Sequence, residues 1–509
     1  MIVLTGSSLT LEQLAAVADR GEVVALAPEA AARVRAARAV VDAKAKGRDP
    51  VYGINTGFGS FADVKIAPDA LETLQRNLLR SHAAGLGPPL PVRAVRAAMA
   101  LRANVLAKGF SGIRIETLEA LIAMLNARVH PIVPSRGSVG ASGDLAPLAH
   151  MALVLIGEGE AAVDRNLGPS GPMPGAEALE RAGLSPIVLA PKEGLALING
   201  TQPSTAVLGL ALHGAERLAR AADIAAALSI DALRGSIHPF ERRIHEARGF
   251  QGQMTSAANI GGLIAGSGIN RSHELCGRVQ DAYSMRCAAQ VHGATREALA
   301  FVRRTIETEA NAATDNPMVF ADDDEIVSCG NFHGAPVAMA ADLLAAALVP
   351  IATISERRTD RLVNPASSGL PAFLTREGGL QSGLMMAQVT AAAIASELKT
   401  LAHPAGVDTI PTSASKEDHV SMSMAAALKA ERALHCAREV LAVEVLCAVQ
   451  ALDLLRPLTT SPALARAVSL VRAHVRTLDD DRPPSPDIVA IAQLIERGEL
   501  ENACGVGVK

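Results

Sequence analysis

The chain has 509 residues, with 48 Lys+Arg against 52 Asp+Glu (formal charge −4), 49% hydrophobic and 20% charged residues. That balance excludes a disordered or collagen-like chain and lacks the basic excess a nucleic-acid surface needs. Aromatics are scarce, with no Trp and only two Tyr, which also argues against stacking on single strands, and the length calls for two or three domains or layers.

The first residues, MIVLTGSSLTLEQ, carry no basic start and no apolar stretch of signal length, so the expected location is the cytoplasm. Residues 1–200 are richer in Gly and Pro, with shorter helical patches and an expected exposed loop at 167–175. A boundary falls near Pro203, placed in the first turn of a helix. Beyond it, Val207, Leu210, Gly214, Leu218, Ala221 and Ala225 recur at helical spacing, as do apolar residues over 424–455, where Pro457 supplies a stop. Further helical runs near 334–354 and 382–401 complete the reading. The fold class is mainly α: a long central antiparallel helical bundle over 201–509, with a smaller N-terminal domain, 1–200, carrying the active-site loops.

No run of about 18 uncharged apolar residues occurs. The nearest, after Asp342, is cut by Pro350 and reads as a buried helix, so no membrane partner is expected. Cys276, Cys287, Cys329, Cys436, Cys447 and Cys504 form no CxxC pair and read as reduced core thiols.

Three strings set Gly beside polar or reactive residues. Tyr52-Gly-Ile-Asn-Thr-Gly-Phe-Gly59 is a poor helix and a poor strand, hence a loop, and holds one of the two tyrosines. No Lys-Ser/Thr follows to make it a phosphate loop, and alone it reads as a turn. Gly137-Ser-Val-Gly-Ala-Ser-Gly-Asp144 precedes a helical run from Leu145 to Ile156. Asp144 caps or enters that helix, so Ala141-Ser142-Gly143 sits where backbone N–H groups and the helix dipole favour negative charge. Ser142 is a candidate reactive residue, though a plain loop accounts for the string equally well. In Val279-Gln-Asp-Ala-Tyr-Ser-Met-Arg286, helical spacing sets Gln280 and Arg286 on the face of Tyr283, and Arg286 offers a bidentate carboxylate site. Its plain alternative is a surface Arg beside a half-buried Tyr. No His falls in HExxH and no His/Cys group has zinc spacing, so no metal is expected. His82 and His419 lie in polar clusters.

Together with Ser81-His-Ala-Ala-Gly85, Lys192-Glu-Gly-Leu-Ala-Leu-Ile-Asn-Gly-Thr-Gln202, Gly330-Asn-Phe-His333 and Glu417-Asp-His-Val-Ser-Met422, these strings resemble, in order and over nearly the whole chain, the aromatic amino acid lyase family. The resemblance implies that Ala141-Ser142-Gly143 cyclises and dehydrates into a methylidene-imidazolone (MIO) electrophile, with no external cofactor. Such chemistry removes a weakly acidic proton and expels an amine, and no ordinary side chain is an electrophile. The resemblance casts Tyr52 as the base on a lid loop and gives Tyr283 a catalytic place. It has Asn199, Gln280, Tyr283, Arg286 and Phe332 line the pocket, with Arg286 on the substrate carboxylate. His82 falls at the selectivity position, and Glu417 accepts a hydrogen bond from an imidazole. The implied activity is elimination of ammonia from histidine to give urocanate, the first step of histidine degradation, in a homotetramer whose sites draw on several subunits. The alternatives are the same chemistry on tyrosine or phenylalanine, an aminomutase, or an inactive structural relative. Ser415-Lys416 stands where the family usually has Asn-Gln, Ala335 where many members have Glu, and Gln381 and Leu398 where Asn is common.

Overall fold

Alanine and leucine at three- and four-residue spacing lose little side-chain freedom in a helix, and most of this chain is helical, with a few short strands. The computed structural model describes residues 1–47, 49–165, 168–169, 171–274, 277–505 and 508. Cys276 and part of the loop expected at 167–175 lie outside the described residues. The described part of that loop pairs instead as the short strands Gly168–Pro169 and Met173–Pro174, both against Glu160–Arg165.

The chain forms two units, and a single cut near residue 200 does not describe them. The first comprises Met1–Leu210, Arg303–Asp342 and Pro404–Leu428; the second comprises Ala211–Val302, Leu343–His403 and Lys429–Lys509. The first is therefore larger than residues 1–200 would make it, because two later segments return to it, and one of these carries Glu417.

In the first unit, helix Val92–Ala107 is buried from residue 94 onward, including Arg96 and Arg102. Helices Ile115–Asn126 and Leu145–Leu155 belong to the same unit, with strand Val129–Pro131 antiparallel to Glu160–Arg165. A small cluster of Ala37, Val40 and Val41 from helix Pro28–Ala45, Ile54, and Val319 from strand Met318–Phe320 anchors the loop that carries Tyr52. Ile54 is wholly buried in this cluster while Tyr52, two residues earlier, is half-buried.

The second unit is built on long helices. Helix Gln202–Ala232 takes Pro203 in its first turn, as expected, and continues into this unit. Helices Ala288–Glu309, Ala335–Val363, Met385–Leu401 and Ser423–Leu454 contribute most of their length to it. Polar groups tie them where water is excluded. Asp223 accepts hydrogen bonds from Asn259 (2.8 Å) and Arg296 (2.7 Å) and pairs with His292 (2.7 Å). Arg358 and Glu444, both fully buried, form a two-pronged ion pair to which Ser229 adds a hydrogen bond of 2.7 Å. Among the described residues Ala335–Val363 is the one helix long and apolar enough to cross a membrane, and 56% of its most apolar window is buried. Cys436, Cys447 and Cys504 are buried thiols, whereas Cys287 and Cys329 are only half-buried.

Candidate active site

The Ala141-Ser142-Gly143 segment is held by contacts that demand glycine on either side. Gly143 has φ +73° and an added Cβ there would lie 2.2 Å from the carbonyl oxygen of Gly200; at Gly140, φ +64°, it would lie 2.2 Å from Ser421 Oγ. Gly143 bridges Gly200, and the N–H of Asp144 donates to the Gly200 carbonyl at 2.7 Å. Asp144 occupies the N-cap position of helix Leu145–Leu155, but its carboxylate does not cap that helix. It accepts instead from Ser138 Oγ (2.6 Å) and from the N–H of Ser204 (2.8 Å). Burial raises the pKa of Asp144, and those hydrogen bonds offset part of the rise.

Ser142 is half-buried, and its hydroxyl donates to Glu417 Oε1 at 2.8 Å across 275 residues of sequence. The other oxygen of Glu417 accepts from Thr412 Oγ1 at 2.6 Å. Ser142 and Glu417 face a cavity of about 620 Å³ also lined by Tyr52, His82, Asn199 and Asn316, with an apolar wall that includes Phe58, Leu145 and Leu195. Helix Leu71–His82 presents Leu74, Asn77, Leu78 and Ser81 to this cavity at helical spacing.

Three polar groups of the cavity are set by their surroundings. Tyr52, edge-on to Phe58 at 6.4 Å, has its phenol pushed above the ordinary 10.0 by burial and secondarily by the negative charge of Glu417, against a backbone hydrogen bond from Gly59. Ionisation at neutral pH would require the opposite shift, so within this chain the phenolate is not the favoured form. The His82 pKa is lowered, chiefly by burial, and its Nδ1 lies 2.9 Å from the carbonyl of Leu78. A carbonyl only accepts, so Nδ1 carries the proton and Nε2 is an acceptor. Asn199 is 2% exposed; its Nδ2 donates to the Asn316 carbonyl at 2.8 Å, while its buried Oδ1 has no partner.

The turn bearing Asn199 is set by a fully buried guanidinium. Arg102 donates to the Asn199 carbonyl (2.9 Å), to Gln202 Oε1 (2.8 Å) and to the Ala196 carbonyl. Burial lowers its pKa to about 10, which leaves it cationic at neutral pH. Lys192 and Asp315, also buried, pair nearby at 3.3 Å. Arg102, Thr412 and Asn316 were missed as site residues. An Arg in an Ala-rich helix carries no local sign of burial, and Thr412 lies outside the glycine strings.

The structure thus brings Tyr52, His82, Ser142, Asn199 and Glu417 to one cavity, with Ala141 and Gly143 flanking Ser142. Phe332, in the first unit, is half-buried and does not line that cavity. Gln280, Tyr283 and Arg286 belong to the second unit. There Tyr283–Arg286 is a single helical turn, with the Arg286 guanidinium 4.6 Å above the Tyr283 ring and its Nε buried without a partner. The helical face expected to join Gln280 with Tyr283 does not form. Gln280 precedes the turn, where Asp281 accepts from the N–H of Ser236 (2.6 Å) and pairs with Arg278 (3.1 Å), and it lines a separate cavity of about 570 Å³. Among the described residues no group of three His, Cys, Asp or Glu could hold a metal ion. Lys416 is exposed, beyond Ser413, Ala414 and Ser415, which all have positive φ.

Residues 9–473 match the family model for aromatic amino acid lyases. The chain is 56% identical over 504 residues to a histidine ammonia-lyase of Anaeromyxobacter dehalogenans (strain 2CP-C), covering 98% of this chain and 99% of the relative. A crystal structure of histidine ammonia-lyase from Trypanosoma cruzi superposes with a TM-score of 0.92 at 43% identity, covering 99% of this chain and 95% of that one. Tyrosine aminomutase from Streptomyces globisporus superposes equally well, TM-score 0.92 at 37% identity, over 99% and 98% of the two chains. With a family match of this extent laid over the cavity just described, the chain belongs to the aromatic amino acid lyase family and is an enzyme of the carbon–nitrogen lyase class.

Proposed function

We propose that this enzyme eliminates ammonia from L-histidine to give urocanate, using an MIO group formed from Ala141, Ser142 and Gly143, as the first step of histidine degradation. The observation that carries the reading is the meeting of Ser142, Glu417, His82, Tyr52 and Asn199 in one cavity. The segment fits the group: Gly143 is pressed against Gly200 in a conformation that excludes a side chain, and Ser142 is turned toward Glu417. Ring closure joins the nitrogen of Gly143 to the carbonyl carbon of Ala141 with loss of one water, and Ser142 loses a second. When formed, the group supplies the electrophilic carbon that no side chain offers.

The remaining steps fall to side chains. Tyr52 takes the proton from the carbon beside the imidazole ring, and the raised pKa of its phenol makes the base strong once ionised. His82 and Glu417 orient the imidazole by offering two acceptors, His82 Nε2 and the Glu417 carboxylate, to its single ring N–H. Both features favour histidine over a phenyl or phenol ring. Arg286 binds the carboxylate in two-pronged fashion, beside Tyr283. We further propose that Gln280, Tyr283, Arg286 and Phe332 complete the site on assembly as a homotetramer, and that the enzyme works in the cytoplasm on a small amino acid with no nucleic-acid or membrane partner.

Incubation with histidine, tyrosine and phenylalanine in turn, followed by product absorbance, tests the reading. Urocanate from histidine is the expected result; a cinnamate or coumarate product without urocanate, or a β-amino acid, would replace it.

A further inference from the structure

We propose that Glu417 has a second role, earlier than any encounter with substrate: it carries the proton in the dehydration of Ser142. This rests on the reading that Ala141-Ser142-Gly143 matures into a ring. The geometry points to it because the carboxylate is docked on the very hydroxyl that must leave. Ser142 Oγ donates to Glu417 Oε1 at 2.8 Å, and Thr412 Oγ1 holds Glu417 Oε2 at 2.6 Å, so the carboxylate is fixed from both sides. The backbone around it is fixed as well, since the N–H of Thr412 donates to the Glu417 carbonyl at 2.9 Å. Substrate orientation alone gives no reason for Glu417 to be bound to an unreacted serine.

Hydroxide is a poor leaving group, and an acid within hydrogen-bond reach of the departing oxygen removes that difficulty. After ring closure, the Cα–H bond of Ser142 breaks and its electron pair forms the Cα=Cβ double bond. The proton released is taken up by the Glu417 carboxylate and delivered to Oγ as the Cβ–Oγ bond breaks. Oγ departs as water with its own hydrogen and this proton, and Glu417 is left ionised as it began. No oxidant or outside acid is consumed.

The two waters are lost in separate steps, which makes the assignment testable by mass. Wild type, E417Q and T412V would be made by cell-free synthesis, sampled over time, and quenched for intact mass, with circular dichroism on each purified chain. Wild type passes from one water lost to two. E417Q, unable to carry a proton, accumulates the chain lacking one water, with the second loss slowed about 100-fold. T412V, which only loosens the carboxylate, slows the second loss by less. An E417Q chain of normal helicity that loses the second water at the wild-type rate would overturn the proposal, as would one that keeps both waters, since Glu417 would then act in ring closure. Should E417Q fail to fold, a folded T412V with an unchanged second step overturns it equally. A wild-type chain that loses no water would instead remove the underlying reading of the tripeptide.

Discussion

Tyr52 is asked to be a base in surroundings that hold it protonated. Burial and the charge of Glu417 both lift its phenol above 10.0, so the ionised fraction at neutral pH is small and grows as pH rises. The kcat/KM of the enzyme is therefore expected to climb steadily from neutral into alkaline solution, and a profile that is flat across this range would show that another group sets the base. Removing the phenol as Tyr52→Phe lowers kcat by a factor of about 100 to 10,000, with the smaller effect on KM. On the proposed reading His82 acts on binding instead. With Nδ1 committed to the Leu78 carbonyl, its loss as His82→Leu takes one acceptor from the substrate ring. We expect KM for histidine to rise about tenfold, the equivalent of ~1.4 kcal/mol, with kcat nearly unchanged, in steady-state kinetics.

At the level of elements, the buried Arg358–Glu444 pair joins helix Ala335–Val363 to Ser423–Leu454, and Arg358 also donates to the Ser284 carbonyl at 3.3 Å, inside the turn that carries Tyr283 and Arg286. Arg358→Met leaves a buried carboxylate without its partner and is expected to cost about 3–5 kcal/mol in denaturant unfolding. The double change Arg358→Met with Glu444→Leu should regain a good part of that, and no recovery would mean that the loss arises from packing rather than charge. The helices themselves were legible in the chain: the runs at 207–225, 382–401 and 424–455 fall on helices Gln202–Ala232, Met385–Leu401 and Ser423–Leu454, overrunning the last two by one to three residues, because apolar spacing is a local property. The expected cap at Asp144 was right in position and wrong in partner, since Ser138 and Ser204 compete for its carboxylate. Gln280 was misplaced because three residues of helical spacing said nothing of Asp281, whose bonds to Ser236 and Arg278 hold the chain outside the turn. The Ser142–Glu417 bond joins segments 275 residues apart, and no local pattern reports such a contact. The family resemblance supplied Glu417, but as an acceptor for an imidazole and not as the partner of the Ser142 hydroxyl.

Over the whole molecule, buried titratable groups couple stability to pH. His82, His130, His150 and His292 all have pKa values held below the ordinary 6.5, with burial the leading cause in each. Once the pH drops below about 6.5 the unfolded chain binds more protons than the folded one, so this stability is complete above that value and lost as pH falls toward the folded-state values. Asp144, Asp231 and Glu309, whose values burial raises, act in the opposite sense and contribute more as pH falls through theirs. Comparison with a variant isolates one histidine: His130→Gln is expected to lose less stability than wild type on acidification from neutral pH, as read from urea midpoints. Equal losses would show that His130 is not part of the acid response.

On the proposed reading, Ser142 and its neighbours become the electrophile of an ammonia-lyase. Intact mass of the purified wild-type chain beside Ser142→Ala tests it most directly. The account predicts a wild-type mass lower than the encoded chain by two waters, and a variant that retains both and releases no ammonia. A wild-type chain at its full encoded mass, yet active on histidine, would contradict it.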